Sequence, residues 1–159
     1  MNSSLDEQLE RHLAQRQHSL IRLLGLLKKD MDCRIIGKLQ HRGYNNFKLG
    51  DLVLIVNIEP QGTINNELAK KARITKQAMS KVVKNLEAEG YIRTCKHASD
   101  NRASLISLTD EGKKLIICAA ESFEEIQQEY TGIIGEEDTT ALKEILRKLV
   151  FNLHPEQCG

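Results

Sequence analysis

The 159-residue sequence has no tryptophan, only two prolines and few aromatic residues, 4% of the total. Since proline interrupts helices, its scarcity makes long uninterrupted helices possible. A composition of 40% apolar and 28% charged residues is typical of a folded chain. No apolar run approaches the ~18 residues of a membrane span, and the start lacks the basic-then-apolar order of a signal peptide. We therefore expect a cytoplasmic protein with no membrane partner.

Motifs for catalysis and metal binding are also missing. The sequence has no phosphate loop, nucleophile elbow or H-E-x-x-H, and the four cysteines (Cys33, Cys95, Cys118, Cys158) form no C-x-x-C pair. The prediction is therefore no enzyme, no cofactor and no metal site. Reduced, structural cysteines are expected.

Charge is unevenly distributed, although the formal net charge is only +1. Residues 63–102 carry nine Lys and Arg against four Asp and Glu, whereas residues 119–159 carry three against nine. A solvated charged face is one reading of the basic segment. The other is a localised anionic partner.

Apolar residues recur at helical spacing at both ends of the chain. The first pattern, from Leu5 to Leu39, predicts a single amphipathic helix that reaches about residue 42, with Gly25 as its weak point. Near the C-terminus we expect a helix over 110–131, broken by Gly132 and Gly135, and a last helix over 136–153. Such long apolar stripes need other helices, or a second subunit, to cover them.

The middle of the chain predicts a compact unit of helices and strands. Residues 47–58 fit a helix or a buried strand by pattern, and helix is preferred because two short helical segments come next in the chain. These helices, over 65–72 and 75–89, are separated by two residues, and strands over 91–96 and 104–108 form a hairpin with a charged tip. This is a helix-turn-helix with a wing, whose second helix can enter a DNA major groove.

The second of these helices has two different faces. Thr75 can cap its first turn, and an apolar side contains Ala78, Met79, Val82, Val83 and Leu86. The other side is polar and consists of Lys76, Gln77, Ser80, Lys81, Lys84 and Asn85.

Five fragments within residues 62–112 resemble the MarR (multiple antibiotic resistance regulator) family. They are Glu67-Leu68-Ala69, residues 74–87 (ITKQAMSKVVKNLE), residues 89–93 (EGYIR), the D-x-R of Asp100-Asn101-Arg102, and the L-T-x-x-G of residues 108–112. Each fragment is weak alone, but their order and spacing make the resemblance specific. The flanking helices agree with the family's layout without carrying a motif.

The resemblance implies that helix 75–89 reads the major groove and that Arg102 enters the minor groove, held there by Asp100. The DNA-binding residues it assigns are Thr75, Lys76, Gln77, Ser80, Lys81, Lys84, Asn85, Asp100 and Arg102. The alternative is a solvated helix face beside a surface ion pair of small energetic value.

Family members commonly bind a small aromatic effector between their dimerisation helices and the winged region. The residues that this resemblance suggests for such a pocket are His18, Arg22, Tyr44 and Phe47. A lone histidine on a helix is more often a solvated or core residue. Peroxide-sensing members place a reactive cysteine early in the first helix, and the resemblance makes Cys33 the candidate for redox sensing, although Cys33 lies late in that helix and has only Arg34 and Lys38 nearby.

The expected fold is mainly α with a small β-hairpin wing: a single winged helix-turn-helix chain over 1–159. Residues 5–46 and 110–153 form the dimerisation helices, and residues 47–109 form the DNA-binding region. The expected function is a homodimeric transcriptional regulator, a repressor released by an effector, on a pseudo-palindromic operator in double-stranded DNA. The alternative is a winged helix that binds protein instead of specific DNA.

Overall fold

The computed structural model describes residues 4–16, 18–96 and 104–155, with the backbone alone at Lys76 and Lys96. The elements in chain order are α1 (Leu5–Arg16), α2 (Leu20–His41), α3 (Leu49–Ile55), β1 (Thr63–Ile64), α4 (Asn65–Ala72), α5 (Lys76–Ala88), β2 (Ile92–Lys96), β3 (Ser104–Leu108), α6 (Asp110–Ile134) and α7 (Glu136–Leu153). The mainly helical winged-helix fold predicted from the sequence is confirmed.

The N-terminal pattern forms two helices, so the prediction of a single helix was wrong. Helix α1 ends at Arg16 and α2 begins after Ser19, whose side chain accepts a hydrogen bond from the Arg22 amide at 3.3 Å. A serine that satisfies an orphan amide favours a helix start at this point. Gly25, the expected weak point, lies inside α2.

The sheet has three strands instead of the two predicted. Strand β3 lies in the centre, antiparallel to β2 on one side and to the two-residue strand β1 on the other. Thr63 pairs with Ile106, and Ile92 pairs with Leu108. Strand β1 ties the segment before α4 to the wing, so the wing and the helix-turn-helix form one body.

The core lies where α2, α3, α4, α5, the sheet and α6 meet. Its most deeply buried large side chains are Ile35, Leu39, Leu54, Ile55, Leu68, Leu86, Ile106 and Leu115. These residues come from six elements, α2, α3, α4, α5, β3 and α6. Burial of each side chain stabilises the fold by roughly 1.5–3 kcal/mol. The core therefore fixes α5 and the sheet against the long helices.

Helix α6 passes through Gly132 and ends at Ile134 with Gly135 as its C-cap, so the predicted break at Gly132 was wrong and that at Gly135 is confirmed. A glycine inside a helix costs only about 1 kcal/mol relative to alanine, and packing of α6 on α2 offsets it. In the described ranges, neither α6 nor any other helix combines the length and apolar character that a membrane crossing requires.

Gly112 lies in the first turn of α6, where this helix meets the turn that follows α5. A Cβ atom at this position would lie 2.0 Å from the Tyr91 carbonyl oxygen. Thr109 accepts a hydrogen bond from the Gly112 amide at 3.1 Å, and its own hydroxyl donates to the carbonyls of Gly90 and Tyr91. The glycine of the L-T-x-x-G fragment thus marks a point where two backbone segments approach so closely that no side chain fits.

We expect Gly112→Ala to destabilise the protein by about 1–3 kcal/mol, because the methyl group displaces α6 from Tyr91. The matched control is Gly132→Ala in the same helix, where an added Cβ meets nothing within 4 Å. That variant should gain up to about 1 kcal/mol. Urea unfolding of both variants measures the difference, and equal stabilities would contradict the role assigned to Gly112.

Candidate nucleic-acid interface

Helix α5 begins immediately after a tight turn. Arg73 ends α4 in the left-handed conformation, with φ of 52°, and turns the chain toward α5. The Thr75 side chain then accepts a hydrogen bond from the Ala78 amide at 3.2 Å. Thr75 was predicted both as a cap and as a DNA contact, and the structure shows the cap on an exposed residue.

The two faces of α5 are arranged as the sequence pattern indicates, apart from Ala78. Met79 and Leu86 are buried, and Val82 and Val83 are half-buried, whereas Ala78 is exposed. The exposed polar residues are Gln77, Ser80, Lys81 and Lys84. Lys76 starts the helix, and its side chain lies outside the described atoms.

Asn85 differs from the other predicted contact residues on α5. It is half-buried, and its Nδ2 donates a hydrogen bond of 2.9 Å to Oδ2 of Asp51 on α3. The same oxygen accepts from the Lys48 amide at 2.9 Å. The sequence analysis missed Asp51, although its place three residues after Lys48, in the first turn of α3, is where a capping carboxylate is expected.

Asp51 is a buried carboxylate with 3% of its surface exposed. Burial raises the pKa of this carboxyl above its ordinary value of 3.8, and the Lys48 amide, the Lys48 charge and Asn85 oppose that shift. A groove runs between the N-terminal end of α3 and the neighbouring helix α5, and it is lined by Lys48, Lys81 and Lys84. The surface next to the exposed face of α5 is therefore cationic.

The wing lies next to α5 in the chain, and strands β2 and β3 form its stem. Ile92 is buried, and the side chains of Arg93, Thr94 and Cys95 are exposed. Asp100 and Arg102, the predicted minor-groove residues, lie outside the described residues.

The residues predicted for an effector pocket fall into two places. Tyr44 and Phe47 pack against Tyr91, with ring centroids 6.2 and 6.0 Å apart. His18 and Arg22 are exposed at the other end of α2, whose 22 residues span about 33 Å. One chain therefore does not bring the four residues together.

Within the described ranges, titratable groups form no compact cluster of metal-ligand type. Among the described residues, no group of three or more His, Cys, Asp or Glu side chains is placed to hold a metal ion. Cys33 and Cys95 are exposed and Cys118 is half-buried, all three as free cysteines. Cys158 lies outside the described residues.

A ladder of ion pairs joins α2 to α6, which the sequence analysis did not find. Arg34 contacts Glu129 at 2.6 Å, and Lys38 contacts Glu125 and Glu129 at 2.9 and 2.8 Å. Hydrogen bonds from Lys38 hold the pKa values of both glutamates below their ordinary range. The spacing of four residues on both helices was a visible signal, but it becomes specific only once α2 and α6 are known to be neighbours.

Comparison with known proteins gives one family. Residues 54–103 match the model of the MarR family. The uncharacterized HTH-type transcriptional regulator YdgJ of Bacillus subtilis is 27% identical over 56% of this chain and 54% of its own length. The chain therefore spans about half the length of that relative.

Two solved structures show the same fold. The crystal structure of MarR superposes with a TM-score of 0.73 at 18% identity, covering 84% of this chain and 96% of that one. Sco3205 from Streptomyces coelicolor, a MarR family transcriptional regulator solved in complex with DNA, gives a TM-score of 0.66 at 23% identity. That superposition covers 100% of this chain and 95% of the Sco3205 chain.

The buried carboxylate on α3 generates a test of stability. Asp51→Asn should be at least as stable as the parent at about pH 7, because an amide oxygen can accept both hydrogen bonds without a buried charge. Asp51→Ala leaves two partly buried donors, the Lys48 amide and Asn85 Nδ2, without their acceptor and should lose about 1–3 kcal/mol.

The pH dependence has a definite sign. Because the folded-state pKa of Asp51 is raised, its stabilising contribution is complete below the ordinary value of 3.8 and is lost as pH rises through the folded value. As the pH rises from about 3 to about 7, the parent should therefore become less stable than Asp51→Asn, as measured by thermal unfolding. An Asp51→Asn variant as unstable as Asp51→Ala would contradict this account.

Proposed function

We propose that this chain, which belongs to the MarR family, is a dimeric DNA-binding transcriptional regulator and not an enzyme. The curated relative from Bacillus subtilis has the name of a transcriptional regulator, and the neighbour Sco3205 was solved in complex with DNA. A regulator of this kind acts where genomic DNA is accessible, which corresponds to the cytoplasm.

The observation that carries the proposal is the exposed polar face of α5. Gln77, Ser80, Lys81 and Lys84 are exposed on a helix whose opposite side is fixed in the core. A helix of this width fits the major groove, where an amide can pair with an adenine edge and lysines can meet guanine or phosphate. The basic charge of residues 63–102 supplies the attraction to the phosphates.

Dimerisation is supported by apolar surface that the single chain leaves exposed. Helix α1 has no buried residue. The exposed apolar side chains include Leu5, Leu9, Leu13, Leu20, Ile21 and Leu23 in α1 and α2, and Ile145, Leu149, Val150, Phe151 and Leu153 in α7. Exposed apolar side chains in this number are typical of a protein interface, and a second copy of the chain can cover them.

A two-fold dimer presents two copies of α5 and the wing. The operator that we propose is pseudo-palindromic, with half-site centres about 10 bp apart, and the two wings add minor-groove contacts through Arg102 and Asp100. Repression is the proposed outcome of operator binding. A small aromatic effector bound between the dimerisation helices and the winged region would release it, with lining contributed by both subunits.

The exposed face of α5 predicts two different kinds of variant. Lys84→Ala should weaken selected and random-sequence duplexes about equally and lower the slope of log affinity against log salt by about one per lost contact. Gln77→Ala should instead relax base preference at a cost of ~1–3 kcal/mol per half-site. Fluorescence anisotropy on a duplex selected from a random library, and on its scrambled form, measures both effects.

Lys143→Ala on α7, also an exposed lysine, is the matched control and should bind like the parent. Circular dichroism checks the fold of each variant. If Lys84→Ala and Gln77→Ala both bind the selected duplex as the parent does at ~150 mM salt, the DNA-reading surface is misassigned and a protein-binding module takes its place.

The dimer can be tested without DNA. Sedimentation should give about twice the chain mass of 18.0 kDa. Leu149→Glu places a charge in the apolar stripe of α7 and should yield monomers at micromolar concentration, whereas Thr140→Glu, with the same charge change at an exposed polar position, should not. A parent protein that sediments as a monomer would refute the proposed assembly.

A further inference from the structure

A side-chain hydrogen bond connects helix α5, whose polar face we propose to read DNA, to α3. Oδ2 of Asp51 lies 2.9 Å from Nδ2 of Asn85. Asp51 is buried and Asn85 is half-buried, while Lys84 and Lys81, one and four residues before Asn85, are exposed. Asn85 thus interacts with the body of the protein at the edge of the proposed reading face.

The acceptor in this contact is fixed by its own helix. Oδ2 of Asp51 also accepts the Lys48 amide at 2.9 Å, in the first turn of α3. An apolar contact such as that of Leu86 tolerates small rotations and slides of a helix, because dispersion is not directional. A hydrogen bond between two partly buried groups depends on angle as well as distance, so it fixes the orientation of α5 on α3.

The position of Asn85 near the end of α5 makes this orientation important for the other end. Gln77 lies eight residues earlier, a distance of about 12 Å along the helix axis. A tilt of about 10° at Asn85 would move Gln77 by about 2 Å. That displacement is enough to break a hydrogen bond with a base edge.

We propose that Asp51 and Asn85 form a positioning pair that sets the orientation of α5, and that Asn85 contacts no base. Asn85 was predicted to bind DNA on the strength of its place on the polar side of α5, and the pair gives it a different role. The inference rests on the proposed DNA-binding function and identifies the residues that align its reading helix.

A double-mutant cycle tests whether the two residues act as one unit. Asp51→Ala and Asn85→Ala should each weaken binding to the library-selected duplex about 10-fold, and the double variant should be no weaker than either single variant. Base preference should decline evenly over the half-site in all three. A base-reading Asn85 predicts instead a loss of preference at one base pair and effects that multiply in the double variant, and that result would overturn the proposal.

A second variant provides a pH profile that loss of packing alone would not produce. Asn85→Asp places two carboxyl groups in contact, and such groups share a proton, because one of the two pKa values is raised. The neighbouring charged groups are Lys48 on α3 and Lys81, Lys84 and Glu89 on α5. Binding relative to the parent should therefore recover several-fold as pH falls from about 8 to about 5.5, whereas Asn85→Ala should show no recovery.

The matched control is Asn66→Asp, which adds the same charge at an exposed position on α4. An exposed aspartate titrates near 3.9, so its effect on DNA binding should be constant over that pH range. A flat profile for Asn85→Asp, or an equal recovery in the control, would overturn the proposal.

Unfolding in urea without DNA separates this inference from the proposed function. Non-additive losses of stability in the cycle, together with a pH-dependent stability of Asn85→Asp, would establish the contact without any DNA. If the parent then selected no DNA sequence, only the proposed function would be refuted. Additive losses in unfolding would refute the pair whatever the protein binds. If Asp51→Ala does not fold, the unfolding and binding profiles of Asn85→Asp against Asn66→Asp decide the question.

Discussion

To read DNA, helix α5 must be packed against the protein on one side and exposed to solvent on the other. The burial of Leu86 and Met79 in the core provides the packed side. Successive residues of a helix are turned by about 100°, so a slip of one position would expose Leu86 and turn a lysine inward. Burying an unpaired ammonium group costs far more than burying a leucine gains. The apolar side of α5 therefore determines which polar residues face outward, and the Asp51 contact refines their direction.

Part of the acidic charge near the C-terminus forms ion pairs between α2 and α6. The acidic residues of the C-terminal segment include Glu125 and Glu129, which pair with Arg34 and Lys38 across the two helices. These side chains are partly solvent-exposed, so each pair contributes little to stability alone, although their repetition favours one alignment of the two long helices. The carboxylates of Glu125 and Glu129 are thereby held next to α2.

Local signals account for the elements that were predicted correctly. Helix α5 follows a threonine cap and ends before Gly90, α6 begins after the Thr109 cap, and the strands of the hairpin alternate between them. The errors have physical reasons: the serine cap at residue 19 outweighed Gly25 as the point of interruption, and tertiary packing carried α6 through Gly132. Strand β1, with two residues, is too short to produce a periodic pattern.

The sequence by itself determined the class of fold and the polar face of α5, because caps, turns and helical periodicity act between residues close in the chain. The family fragments in residues 62–112 extended this to a candidate DNA-binding set. Only the tertiary structure decided that Asn85 is bound to Asp51, that His18 lies far from Phe47, and that α2 is paired with α6. These relations join residues that are distant in sequence, and their geometry depends on how the helices pack on the shared core.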